Sequence, residues 1–134
     1  MKYLLDSHIL IWALFADEKL PGEAYAIVND PKNEIYYSAA SVWEVGIKHS
    51  KSPEKIPVSS QLLTEGCDMA GMISLPVTKE HAMAVTRLSR AENTPPHNDP
   101  FDKMLIAQAK TEGMIFLTHD HLLKDYGEGC VRTV

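Results

Sequence analysis

At 134 residues, 45% apolar and 23% charged, the chain has the composition of one ordinary globular domain, residues 1–134, and not of a disordered tract or two separate folding units. Its net charge of −5 excludes a generally basic nucleic-acid binder, unless the acids are gathered in one place and neutralised there by metal. No segment has the length of a membrane span, and Cys67 and Cys130 form neither a disulfide framework nor a Cys-x-x-Cys zinc pair, which suits free thiols in a reducing compartment.

The opening "MKYLLDSHILIWALFADEKL" begins like an export signal, with Lys2 before an apolar run. Asp6 and His8 break that run early, the remaining "ILIWALFA" is short, and no clean cleavage site follows, so a cytoplasmic location is expected. "KYLLD" reads instead as a strand ending in an acid. Ile9, Trp12, Ala13 and Ala16 then fall on one helix face. "LPGEAYAIVND" is a short second helix between Pro-Gly and Asn-Asp-Pro, "EIYYS" a strand, and "AASVWEVGIKHSK" a helix that Ser38 or Ser41 can cap.

The loop "KSPEKIPVSS" leads to a helix weakened by Gly66, and "MISLPV" is the third strand. Thr78 can cap a helix running through "TKEHAMAVTRLSRAE". "NTPPHNDP" is a loop, "FDKMLIAQAKTEG" a helix stopped by Gly113, "MIFLTHD" a strand ending in an acid, and "CVRTV" a last short strand. Strands alternating with helices predict an α/β fold with a mainly parallel sheet covered on both faces, because parallel strands need crossovers and the crossovers here are helical.

Ligands of such sheets bind at the carboxyl ends of the strands. Asp6 ends the first strand, Asp120 follows another, Glu44 lies in the helix directly after "EIYYS", and Asp99 and Asp102 open the helix that leads into "MIFLTHD". Each has an ordinary explanation: Asp99-Pro100-Phe101-Asp102 is a good helix start, Asp6 and Asp120 suit caps or turns, and Glu44 can pair with Lys48 one turn on. Together they are harder to explain, since two carboxylates about 4 Å apart repel by about 4 kcal/mol at an effective dielectric of 20. A crevice of Asp and Glu without Cys calls for a hard cation such as Mg²⁺ or Mn²⁺ rather than Zn²⁺.

These segments resemble the PIN domains, and within them the VapC-type toxins of bacterial toxin–antitoxin pairs. "YLLDSHILIWAL" is similar to the family's opening, with Asp6 as the first metal-binding acid, and "SAASVWEVGIK" to the segment where Glu44 is the second. "HNDPFDKMLIAQA" resembles the His-x-Asp-Pro-Phe-Asp-Arg segment of one VapC branch, in which Asp102 matches the acid found across PIN domains and Asp99 an extra one of the branch. "IFLTHDHLL" matches the last motif, with Asp120 as the acid and Thr118 as a supporting hydroxyl. The resemblance implies a five-stranded parallel sheet, metal-dependent endoribonuclease activity, a homodimer or larger toxin–antitoxin assembly, and a cognate VapB-type antitoxin whose tail covers the groove. The chain departs from the branch at Lys103, where Arg is usual, and at Asn98, where a basic residue is frequent; Lys keeps the charge but not the bidentate grip on phosphate.

On this reading Asp6, Glu44, Asp102 and Asp120, assisted by Asp99, hold one or two Mg²⁺ or Mn²⁺ ions that activate water against a phosphodiester of RNA. Setting those acids aside leaves the rest of the chain electrically balanced, with Lys48, Lys51, Lys55, Arg87, Arg90, Lys103 and Lys110 as candidate phosphate contacts. A loop histidine is more often a hydrogen-bonding neighbour than a ligand, so His97, His119 and His121 are not expected to bind the ion directly. Trp12 and Trp43 lie among apolar residues at helical spacing, which favours core packing over stacking on bases. The alternatives are a PIN-like domain that binds RNA or protein without cutting it, and a signalling receiver domain. The latter lacks its paired acid after the first strand, its Asp after a central strand and its Lys near the last.

Overall fold

A computed structural model describes residues 1–134. The strands are β1 (Lys2–Leu5), β2 (Glu34–Ser38), β3 (Ile73–Leu75), β4 (Ile115–Thr118) and β5 (Val131–Thr133), and the α-helices are α1 (Ser7–Phe15), α2 (Gly22–Val28), α3 (Ala39–Lys51), α4 (Ser60–Met69), α5 (Lys79–Val85) and α6 (Pro100–Glu112). Two short 3-10 helices span Asp17–Lys19 and His121–Asp125. No helix is long and apolar enough to cross a membrane.

The five strands form one sheet in the order β3-β2-β1-β4-β5, and every pairing is parallel, so the expected mainly parallel sheet is wholly so. Side chains alternate across it as the pleat requires. Tyr3 and Leu5 of β1, Ile35 and Tyr37 of β2 and Leu117 of β4 join Ile9, Leu10, Ala24, Leu63 and Cys67 in a core on one face. Leu4 and Phe116 point the other way and pack with Leu105, Ile106, Ala109 and Leu123. With both faces covered, the strands read as apolar runs rather than as alternating ones. Burial pushes the Cys67 thiol up to about 12, which leaves it an inert member of the core.

Local sequence sets the ends of the helices. Ser38 accepts a hydrogen bond from Ala40 N and so starts α3, which settles the choice between Ser38 and Ser41. Thr78 and His81 form a reciprocal cap on α5. Gly113 ends α6 at φ +68°, a left-handed conformation that glycine adopts without strain. One boundary differs from expectation: α5 stops at Val85 instead of running to Glu92. The residues beyond it pair elsewhere, with Gly127 N donating to Ser89 O at 2.8 Å and Ala91 N donating to Asp125 O at 2.8 Å. Those tertiary bonds pull the chain away from its helix.

The consequence for a site is topological. The chain leaves β1 toward β2 and β3 on one side and places β4 and β5 on the other, so a crevice opens beyond the carboxyl ends of β1 and β4. Because α6 runs back to feed β4, its first turn lies at that same edge.

Candidate metal centre

A cleft of about 420 Å³ at this edge is lined by Asp6, His8, Trp12, Glu44, Lys48, Asp99, Asp102, His119 and Asp120. All five acids singled out in the sequence therefore line one cleft, although they come from four distant segments. Five carboxylates face a single ammonium there.

Each acid is aimed by its local structure. Asp6 follows β1 and caps α1: its Oδ1 accepts from Ser7 N at 2.6 Å, and its Oδ2 accepts from the Thr118 hydroxyl at 2.6 Å. Thr118 Oγ1 in turn accepts from Asp120 N at 3.1 Å, so one hydroxyl at the end of β4 joins two of the acids. Asp120 starts the His121–Asp125 turn by accepting from Leu122 N at 2.9 Å. Asp99 caps α6 through Oδ1, which accepts from Phe101 N at 2.9 Å and Asp102 N at 3.1 Å. The capping explanation and the shared cleft thus hold together, because a cap fixes the direction of the carboxylate that makes it.

Glu44 is only 4% exposed. Its Oε1 accepts from Ser7 Oγ at 2.6 Å and its Oε2 from Lys48 Nζ at 2.8 Å, while Ser41 Oγ lies 3.0 Å from Ser7 Oγ and completes the pair of hydroxyls. The sequence does not bring Ser7 forward, and it offers Ser41 only as a candidate cap of α3, not as a partner of the acids. The spacing of Ser41 and Glu44 puts them on one face of α3, and that was the available signal. Removing the Ser7 hydroxyl leaves a buried carboxylate oxygen without its donor, and Ser7→Ala is expected to cost about 1–3 kcal/mol in urea unfolding of the metal-free protein.

Crowding shows in the proton affinities. Burial pushes the Asp6 carboxyl above its ordinary value, aided by the Glu44 charge and opposed by the Thr118 hydrogen bond and His8. Asp102 goes further, pushed up to about 8 by burial first and then by the charges of Asp6, Asp99, Glu44 and Asp120. Burial works against the Lys48 ammonium, but its hydrogen bond to Glu44 and the charges of Glu44, Asp99 and Asp102 hold it above its usual range. An all-oxygen donor set with so little positive charge to balance it fits a hard divalent cation.

The other candidates separate. His97 Nε2 lies 3.1 Å from Asp102 Oδ2, and ligand atoms of His97, Asp102 and Asp120 lie within 4.8 Å of one another. His119 lines the cleft, but its Nδ1 is taken by the Val134 carbonyl. His121 is exposed and packs edge-on against His119. Lys51, Lys55 and Arg87 are exposed and do not line the cleft, Lys103 is half-buried in the first turn of α6, and Lys110 pairs with Glu128 at 3.0 Å. Arg90 is engaged within the protein: Nη1 donates to Leu122 O at 2.8 Å, Nη2 to Pro95 O at 2.8 Å, and the guanidinium lies over the Tyr126 ring.

The tryptophans divide as well. Trp12 packs against the core while its edge lines the cleft, in keeping with expectation. Trp43 does not: it is 66% exposed and meets Phe101 edge-on at 5.1 Å, beside an apolar groove formed with Ala39, Ala40, Val77 and Met104. Val45 and Ala40 supply the buried surface of α3 instead, and that turns Trp43 outward.

An acid-lined cleft at the carboxyl edge of a five-stranded parallel α/β sheet defines a class of candidate metal-binding proteins. The chain belongs to the PIN domain family, whose profile matches residues 3–129. Among solved structures it is similar to a chain in the crystal structure of VapBC2 from Rickettsia felis bound to a DNA fragment from their promoter, at a TM-score of 0.69 and 15% identity, over 100% of this chain and 99% of that one. At that identity the likeness concerns the fold. Comparison with curated proteins finds no match.

Proposed function

We propose that the chain is a Mg²⁺- or Mn²⁺-dependent endoribonuclease and the toxin of a VapBC-type toxin–antitoxin pair, cleaving RNA to arrest translation and growth. One observation carries this reading: five carboxylates from four segments line a cleft whose only ammonium is that of Lys48.

Asp6, Glu44, Asp102 and Asp120 are the ligands in this reading, with Asp99 assisting from the α6 cap and Thr118 fixing Asp6. When bound, one or two ions supply a stronger water nucleophile and positive charge for the phosphoryl oxygens. The chain's own part is positional. Hydrogen bonds from Ser7, Thr118 and Lys48 fix Asp6 and Glu44 in advance, and the walls formed by Trp12 and His119 bound the space for the phosphate. Lys48 lines the cleft and Lys103 follows Asp102 directly in α6, while Lys51 and Arg87 extend the proposed phosphate contacts over the surface. Cleavage by water leaves 5′-phosphate and 3′-hydroxyl ends.

The VapBC2 composition of the similar structure supports a VapB-type antitoxin as partner, and the exposed Trp43 groove supports a protein contact with that antitoxin or with a second copy in a homodimer. Cleavage of RNA by the purified chain is expected to stop in excess EDTA and to return on adding Mn²⁺. Undiminished cleavage in EDTA overturns the proposal. A folded chain that neither cuts RNA nor takes up Mn²⁺ supports the rival reading, a PIN-like domain that binds RNA or protein without catalysis.

A further inference from the structure

We propose that His97 is a positioning residue for Asp102, with its ring locked by the Tyr126 hydroxyl. The inference rests on the metal-centre reading above. His97 Nε2 lies 3.1 Å from Asp102 Oδ2, and its Nδ1 lies 2.8 Å from Tyr126 Oη. The His97 side chain is only 6% exposed and is absent from the cleft lining, whereas Asp102 lines the cleft. The imidazole therefore meets the carboxylate from outside the cleft lining, with a ring nitrogen also within 4.8 Å of an Asp120 carboxylate oxygen. Its bond engages Oδ2 of Asp102.

The pattern of donors follows from the chemistry. A carboxylate that holds a cation has no proton to give, so Nε2 carries the ring proton and donates it to Asp102. Nδ1 is then an acceptor, and Tyr126 donates to it. A ring bonded at both nitrogens has one tautomer and one orientation. Groups of this kind behind a ligand commonly change metal affinity by about 10–100-fold when removed.

The loop that carries His97 is itself fastened. Arg90 donates to Pro95 O and to Leu122 O, which ties the segment before His97 to the turn before Tyr126. Its guanidinium lies 4.9 Å from the centre of the Tyr126 ring, and Tyr126 meets His97 edge-on at 5.5 Å. Arg90 and Tyr126 also form an isolated antiparallel bridge. So the bonds that end α5 early build a clasp for His97. Arg90, read from the sequence as a candidate RNA contact, works inside this clasp.

Titration of the full chain with MnCl₂ by calorimetry tests the inference, together with NMR of ¹⁵N-labelled histidine in Mg²⁺. Mn²⁺ binding is expected to weaken by about 10–100-fold in His97→Ala and by a smaller factor in Tyr126→Phe. The wild-type His97 signal is expected to show the proton on Nε2, and Tyr126→Phe to shift the Nδ1 resonance, whose hydrogen-bond donor is gone. Should His97→Ala fail to fold, Tyr126→Phe, which removes one oxygen atom, decides the matter. Wild-type affinity in a folded Tyr126→Phe protein with an unchanged histidine signal overturns the inference and leaves the metal centre standing. Nitrogen coupling to Mn²⁺ in the EPR spectrum of the wild type overturns it in favour of direct ligation by His97. A wild-type chain that binds no Mn²⁺ removes the metal centre itself, and the positioning role with it.

Discussion

Asp102→Asn is expected to raise the melting temperature of the metal-free protein at pH 8 while lowering RNA cleavage by at least about 10²–10³-fold, the loss typical when a group stabilising transition-state charge is removed. The two effects share one cause. Asp102 is surrounded by four other acids, and its carboxyl is pushed up to about 8 by burial and by their charges. Asparagine keeps the shape and a partner for His97 but carries no charge, so the repulsion disappears along with the negative donor. A gain of about 1 kcal/mol corresponds to several degrees for a domain of this size. Differential scanning calorimetry without metal, and cleavage assays with Mn²⁺, read the two halves. A variant that is less stable than wild type at pH 8 contradicts the electrostatic account of the cleft, and one that cleaves normally contradicts the role of Asp102.

The metal-free protein is also expected to lose stability as pH rises from about 5 to 8, and Mn²⁺ to stabilise it more at pH 8 than at pH 6. The sign follows from where the proton resides. Asp102 is raised from 3.8 to about 8, so over that range the folded chain holds a proton that the unfolded chain has released. Stability from that proton is complete below pH 3.8 and is lost as pH climbs toward 8; the raised Asp6 acts in the same direction. A tenfold change in proton affinity corresponds to about 1.4 kcal/mol, so the whole effect is bounded at about 6 kcal/mol, large beside the roughly 5–15 kcal/mol that holds a typical domain together. On the proposed metal-centre reading, a cation held in the cleft would take the place of that proton. Melting curves of wild type and Asp102→Asn with and without Mn²⁺ isolate this group from the remaining titrations. An equal Mn²⁺ effect at both pH values, or the same pH slope in wild type and variant, defeats the prediction.

These two expectations concern residues that the sequence brought forward, whereas the arrangement that makes them matter comes from the sheet. With β1 beside β4 and β2 on its other side, Asp6, Asp120 and the start of α6 share an edge with the first half of α3. A different strand order would leave the same caps on the same helices with their charges apart, and no proton affinity would be raised by neighbours. The Thr118 hydroxyl illustrates the point: it reaches Asp6, 112 positions earlier, because β1 and β4 pair in register.

Residue order alone was enough for everything that short-range physics controls. Apolar runs of strand length, helical spacing and the caps at Ser38, Thr78, Asp99 and Gly113 placed the α/β elements and put an acid at each critical boundary, because caps and periodicity are properties of a few neighbouring residues. Folding in three dimensions decided the early end of α5, the outward turn of Trp43, the employment of Arg90 inside the protein, and the partnerships of Ser7 with Glu44 and of His97 with Tyr126. Each depends on segments separated by 29 or more positions in the chain, as with His97 and Tyr126, or on which helix face the sheet happens to bury. Local pattern carries no trace of such contacts, since the chain brings those groups together only when the core closes.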